Sequence, residues 1–191
     1  TLFPYTTLFR SKKNGAWSTL TWSEYYDYVI KIAKSLIGLN LSIGDKGAIY
    51  SYNRKEWFGC YSAMQMLNNA SVAVYHTSSS SEVEWIVGNS DSKIVFVGHN
   101  PNDNEEDDKK PINRLVAIID KVPSVEKIIL MGEDVNIELN EKIITWTEFI
   151  EKGNNISEDE IEARMKAINS DDTSSLIYTS GTTGNPKGVE L

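Results

Sequence analysis

An α/β fold, a doubly wound and mostly parallel sheet with flanking helices, is what this 191-residue sequence predicts, and two observations carry it. Short apolar runs of strand length take turns with stretches of helical period, joined by brief connections, which is the pattern of βαβ units. The strand-like run "KIVFVG" is β-branched and of the length expected for a strand buried on both faces, and "EKIILMG" is a second continuous apolar run of the same kind.

The elements follow in order. "WSTLTW" is a brief strand, and Thr21-x-x-Glu24 is a capping box ahead of Tyr25, Tyr28, Val29, Ile32, Ala33, Leu36 and Ile37, a helix that stops near Gly38. "SIGDKG" is turn chemistry and "GAIYSY" a compact strand. Asn53 with Glu56 offers a second start signal, for a helix through Trp57, Cys60, Met64 and Leu67 that runs to Asn69. The strand "SVAVYH", a helix "EVEWIVGNS" capped by Ser79 and Glu82, and the strand "KIVFVG" repeat the cycle. "HNPNDNEEDDKKP" reads as a solvated loop, because a charge run of mixed sign faces water. "INRLVAIIDKVP" predicts one helix closed by Pro123, "EKIILMG" a buried strand, "KIITW" a weaker one and "TEFIEKG" a helix. Ser157 with Glu160 opens "EDEIEARMKAI", and "SSLIYTS" is the last predicted strand. No internal repeat is present.

Composition narrows the function classes. The net charge of −8 disfavours a surface that coats nucleic acid or an anionic membrane, and no apolar run approaches the roughly 20 residues needed to span a bilayer. Small molecules are the expected partners. Cys60 is the only cysteine, which leaves no intramolecular disulfide and no thiolate metal site, and within "EWFGCYSAMQML" it reads as a small buried hydrophobe. His76 and His99 follow strand-like runs with no partner at metal-ligand spacing, so both read as structural or loop residues and no metal site is predicted.

Residues 1–11, "TLFPYTTLFRS", show neither helical period nor strict alternation. They resemble the translation of a widely used short-read sequencing adapter and are read as a non-native or disordered segment outside the fold. With one Arg and no apolar core, they make a poor targeting presequence.

The segment richest in chemistry is "YTSGTTGNPKGV", which begins where the last predicted strand ends. Ligands of open parallel sheets gather at the carboxyl ends of strands. Gly181, Gly184 and Gly188 permit the close approach of backbone N–H groups to an anion; Thr179, Ser180, Thr182 and Thr183 add hydroxyl donors. Lys187 adds a point charge and Pro186 limits the loop's wandering. The spacing is not that of the nucleotide P-loop, since Lys187 stands six after Gly181 and is followed by Gly188 and Val189, and it lacks the Gly-x-Gly-x-x-Gly of dinucleotide folds.

This loop resembles the signature phosphate loop of the adenylate-forming (AMP-binding) enzymes, the superfamily of acyl-CoA synthetases, luciferases and peptide-synthetase adenylation domains. The upstream stretches "LTWSEYYDYVIKIAKSLIGLNLSIGDKGAIYSYNRKEWF", "AVYHTSSSSEVEWIVGNSDSKIVFV" and "WTEFIEKG" are similar to the long-chain fatty acid–CoA ligase branch, including its bubblegum-type members. One departure is Glu190, where relatives often carry Met. The resemblance implies a two-step reaction: a fatty carboxylate attacks the α-phosphorus of ATP with Mg²⁺, releasing pyrophosphate, and the thiol of coenzyme A then attacks the acyl-adenylate. It implies that Thr179, Ser180, Gly181, Thr182, Thr183, Gly184, Lys187 and Gly188 hold the β,γ-phosphates.

The family's adenine-binding and magnesium-binding segment, ribose-binding Asp, hinge and carboxy-terminal catalytic Lys have no counterpart here. Residues 12–191 are therefore read as an incomplete amino-terminal part of the large adenylate-forming domain, truncated just after the phosphate loop, with no catalytic residue and no activity alone. The expected setting is cytoplasmic, with peripheral membrane contact open. The alternatives are an adenylate former acting on an aryl, short-chain or amino acid, and a non-catalytic nucleotide-binding module.

Overall fold

The computed structural model describes residues 7–13, 16–98, 106, 109–132, 138–179 and 184–191. Strands β1 (Thr7–Lys13) and β2 (Ala16–Thr21) pair antiparallel as a separate two-stranded sheet. The rest of the chain runs α1 (Trp22–Gly38), β3 (Lys46–Ser51), α2 (Lys55–Met66), β4 (Ala70–Val74), α3 (Ser80–Asn89), β5 (Ile94–Gly98), α4 (Pro111–Val116), β6 (Lys127–Leu130), β7 (Ile143–Thr145), α5 (Trp146–Glu151), α6 (Glu158–Lys166), β8 (Ser175–Thr179) and β9 (Lys187–Glu190). Strands β3 to β9 form one seven-stranded sheet in the order β7-β6-β5-β3-β4-β8-β9. Every neighbouring pair is parallel except β8 and β9.

Alternation along the strands divides the core between two faces. Val72, Val97 and Ile128 pack against Val83 and Val87 of α3 and Leu115 of α4. Ile49, Phe96 and Ile129 pack on the other side against Ile32 and Leu36 of α1, Cys60 and Met64 of α2, Phe149 of α5 and Ile161 of α6. Cys60 is fully buried there, and burial pushes its thiol well above the ordinary value.

The helix starts expected at Thr21 and Ser79 form complete capping boxes. The Thr21 amide donates to Glu24 at 2.7 Å and the Ser79 amide to Glu82 at 2.7 Å, while each hydroxyl accepts from the N–H three residues on. Thr145 and Glu148 form a third box at α5.

The expected "WSTLTW" strand forms and pairs with β1. Four expectations are corrected. The second helix is capped at Arg54 and not Asn53: Arg54 has no side-chain cap bond, and Glu56 is drawn instead into an ion pair with the Arg54 guanidinium at 2.7 Å. "INRLVAIIDKVP" is broken into α4 and a 3-10 turn at Ile119–Lys121 by Ile118, which sits at φ −121°, ψ 4°; Val122, at φ −120°, ψ 69°, ends the turn because the residue before a proline is pushed out of the helical region. At α6 the Ser157 hydroxyl accepts only from the Asp159 amide, so no box forms with Glu160. Finally, the chain after Pro186 is an antiparallel edge strand and not a continuation of the loop. The charged loop after β5, including His99, lies mostly outside the described residues.

Candidate functional site

Strand order reverses at β3. The next strand, β4, lies on one side of it and β5 on the other, with α2 and α3 on opposite faces. Ligands of such sheets collect outside the carboxyl ends of the strands near the reversal. Two neighbouring gaps compete for that role here.

The gap over β3, β5 and β6 is filled. Arg54 reaches across it, donating from Nε to Glu56 at 2.7 Å and from Nη1 to the Met131 carbonyl just past β6. Its guanidinium carbon also stands 5.5 Å from the centre of the Tyr52 ring. Both charged side chains are largely buried, 16% and 12% exposed. Gly98 makes room for the guanidinium, since a Cβ there would lie 3.0 Å from Arg54 Nη1 and 2.8 Å from Ser51 Oγ.

The gap over β3, β4 and β8 is open. It holds a cavity of about 410 Å³ walled by Trp57, Tyr75, His76, Ile177 and Tyr178. Ser51 is among its lining residues, and the Ser51 hydroxyl is buried without a hydrogen-bond partner among the described residues. Asn53, freed from capping, lines the same cavity.

The glycine- and hydroxyl-rich segment leaves β8 beside this cavity. Thr179 ends the strand exposed, and Ser180, Gly181, Thr182 and Thr183 lie outside the described residues. The chain is followed again from Gly184, which sits at φ +90°, a conformation that glycine adopts without strain, and among the described residues nothing stands within 4 Å of where its Cβ would be. Lys187 then begins β9, exposed and in register with Thr179. Gly188 lies opposite Tyr178, and a Cβ on it would stand 3.0 Å from the tyrosine Cζ. The structure thus gives Gly188 a packing reason that the motif alone does not reveal. Burial raises the Tyr178 phenol, whose hydroxyl donates to Asn89 Oδ1 at 2.7 Å.

Four of the eight motif residues, Thr179, Gly184, Lys187 and Gly188, are therefore brought to one strand-loop-strand hairpin at the carboxyl edge. Glu190, the departure from the family pattern, is exposed at the far end of β9, where its carboxylate accepts from the Thr173 hydroxyl at 3.5 Å. Sequence reasoning does not find the residues that hold the hairpin from outside. The Trp85 indole N–H on α3 donates to the Pro186 carbonyl at 2.8 Å across 101 residues of chain, a pairing with no local signal.

An α/β protein of the doubly wound kind, with its open cavity at the carboxyl edge and a glycine-rich hairpin beside it, is the class these features define. The chain belongs to the family described as AMP-binding enzyme, whose model matches residues 3–191. It is similar to the long-chain-fatty-acid–CoA ligase ACSBG2 of Gallus gallus, 32% identical over 181 residues that make up 95% of this chain and 22% of that protein. It is also similar to the long-chain-fatty-acid–CoA ligase FadD15 of Mycobacterium tuberculosis, 29% identical over 179 residues, 93% of this chain and 27% of that one. Among solved structures, the anthranilate CoA ligase AuaEII in complex with anthranoyl-AMP shares the fold, with a TM-score of 0.70 at 19% identity over 91% of this chain and 30% of that one. The chain spans about a quarter of the length of these relatives.

Among the described residues no helix is long and apolar enough to cross a membrane, and no cluster of three or more His, Cys, Asp or Glu is placed to hold a metal ion.

Proposed function

We propose that this chain is the amino-terminal part of an ATP-dependent long-chain fatty acid–CoA ligase, and that its β8–β9 hairpin holds the β,γ-phosphates of ATP during formation of the acyl-adenylate. The observation that carries the reading is the hairpin itself. A lysine stands in register with the last residue of a parallel strand, at the carboxyl edge of the sheet, across a connector rich in glycine and hydroxyl groups. Family membership and the names of the relatives support the reaction class.

The exposed Thr179, the open left-handed Gly184 and the exposed Lys187 suit a phosphate, because they offer donors and no carboxylate. Mg²⁺ would come with the nucleotide, as it keeps most of its water and binds through substrate phosphates. Bound ATP supplies the phosphoanhydride whose cleavage drives the first step. The residues of this chain neutralise and orient the departing pyrophosphate, with Lys187 as the mobile charge. Ser180, Gly181, Thr182, Thr183 and Gly188 are assigned to the same phosphate contacts by motif position. The thiol of coenzyme A enters only at the second step, in the complete enzyme. We further propose that residues 12–191 are an incomplete domain without activity of their own, working in the cytoplasm.

The test is ATP–pyrophosphate exchange by the full-length protein over a panel of acids. Long-chain fatty acids are expected to stimulate exchange above aryl, short-chain and amino acids, and the 191-residue chain alone is expected to show none. Exchange with aryl or amino acids and none with any long-chain acid would overturn the substrate class.

A further inference from the structure

Among the described residues β9, all four of whose residues are exposed, has β8 as its one neighbour in the sheet. That ladder starts at Lys187, so this edge gives the chain just before the lysine no hold of its own.

Helix α3 supplies what the edge lacks. The Trp85 indole, a donor with a single N–H, bonds the carbonyl of Pro186 at 2.8 Å, immediately before Lys187. One turn further along the helix, Asn89 accepts from the Tyr178 hydroxyl at 2.7 Å, and the Tyr178 ring lies against Gly188. The helix is firmly set. Val83, Ile86 and Val87 are buried in the core, its start carries a capping box, and Glu84 pairs with Lys121 at 3.0 Å. Both legs of the hairpin are thus tied to one rigid element, and the tie nearest the lysine is Trp85.

We propose that Trp85 is a positioning residue for ATP, acting through Lys187: its bond to Pro186 fixes the start of β9 and so pre-places the lysine charge. This rests on the reading of the hairpin as a phosphate site. A pre-placed strand need not be ordered when ligand arrives, so losing the bond weakens binding while leaving the assembled complex unchanged.

The experiment combines Trp85→Phe, Lys187→Ala and the double variant in the full-length enzyme. Phenylalanine keeps a ring and removes the donor. Trp85→Phe is expected to raise KM for ATP about two- to tenfold, the range for one neutral hydrogen bond, with kcat and KM for the acid unchanged. In the Lys187→Ala background the same change is expected to have no further effect on KM for ATP. In the full-length enzyme without ATP, Trp85→Phe is expected to speed hydrogen exchange at the amides of residues 187–190 and leave that of α3 unchanged. An unaltered KM for ATP, an equal effect with and without Lys187, or unaltered exchange in β9 would each overturn the role of Trp85. A harmless Lys187→Ala would instead overturn the phosphate reading on which it rests.

Discussion

Along one carboxyl edge, the gap over β3, β5 and β6 is filled by a guanidinium, whereas the gap over β3, β4 and β8 is left as a cavity beside the hairpin. Both gaps adjoin the strand where the sheet order reverses, so topology alone favours neither. Side chains decide. An Arg54–Glu56 pair and a glycine without a Cβ to obstruct it close the first, while the second stays open between Trp57, Tyr75, Ile177 and Tyr178. Fold topology therefore narrows the site to an edge, and individual residues choose the position along it.

The sharpest way to break this contrast is at Arg54. Arg54→Ala leaves the largely buried Glu56 carboxylate and the Met131 carbonyl without their partner, at a cost of about 3 kcal/mol. The expected result is a lower urea midpoint with an unchanged slope. Arg54→Lys should recover less than half of the loss, since one ammonium cannot serve both acceptors in the arginine's geometry.

On the open side the corresponding change is smaller. Gly188→Ala pushes a Cβ to 3.0 Å from the Tyr178 ring, and the crowding is expected to cost about 1–2 kcal/mol. Hydrogen exchange should place the effect in residues 187–190 and not in the central strands. An equal loss of protection throughout the sheet would contradict the hairpin's standing as a separate edge.

Smallest is the contribution of the helix caps, one of which opens the bracing helix α3. The carboxyls of Glu24, Glu82 and Glu148 are held below their ordinary 4.5, first by the backbone N–H and then by the hydroxyl of Thr21, Ser79 and Thr145. In the unfolded chain these groups take up protons at a higher pH than in the folded one. Their stabilisation is therefore complete above 4.5 and is lost as pH falls through the lowered folded values. Ser79→Ala should cost about 1 kcal/mol at neutral pH. It should also flatten the fall in stability below about pH 4.5 in urea titrations, and an unchanged slope there would contradict the assignment.

Much of the fold is legible where its cause is local. Thr21-x-x-Glu24 and Ser79-x-x-Glu82 announce their helices because a capping box closes within four residues, and Thr145-x-x-Glu148 carries the same signal. "KIVFVG" announces a buried strand because both its faces are covered. Asn53 misleads because the competing partner of Glu56 is Arg54, whose own position is set by Met131, 77 residues away. Strand β9 is hidden behind a motif that reads as loop. It pairs with β8, where Asn89 of α3 holds Tyr178, and Trp85 of α3 bonds the Pro186 carbonyl just before it, contacts that no periodicity encodes. The candidate site shows the same split: its donors stand in one run of sequence, and the parts that aim them come from elsewhere.

The central claim is tested most directly by Lys187→Ala in the full-length enzyme, read as ATP–pyrophosphate exchange. Removing one charge-assisted contact to the phosphates is worth about 1.5–3 kcal/mol, so exchange should slow about ten- to a hundredfold at fixed ATP, with thermal stability unchanged because Lys187 is exposed. An exchange rate equal to that of the parent enzyme would contradict the assignment of the hairpin to ATP.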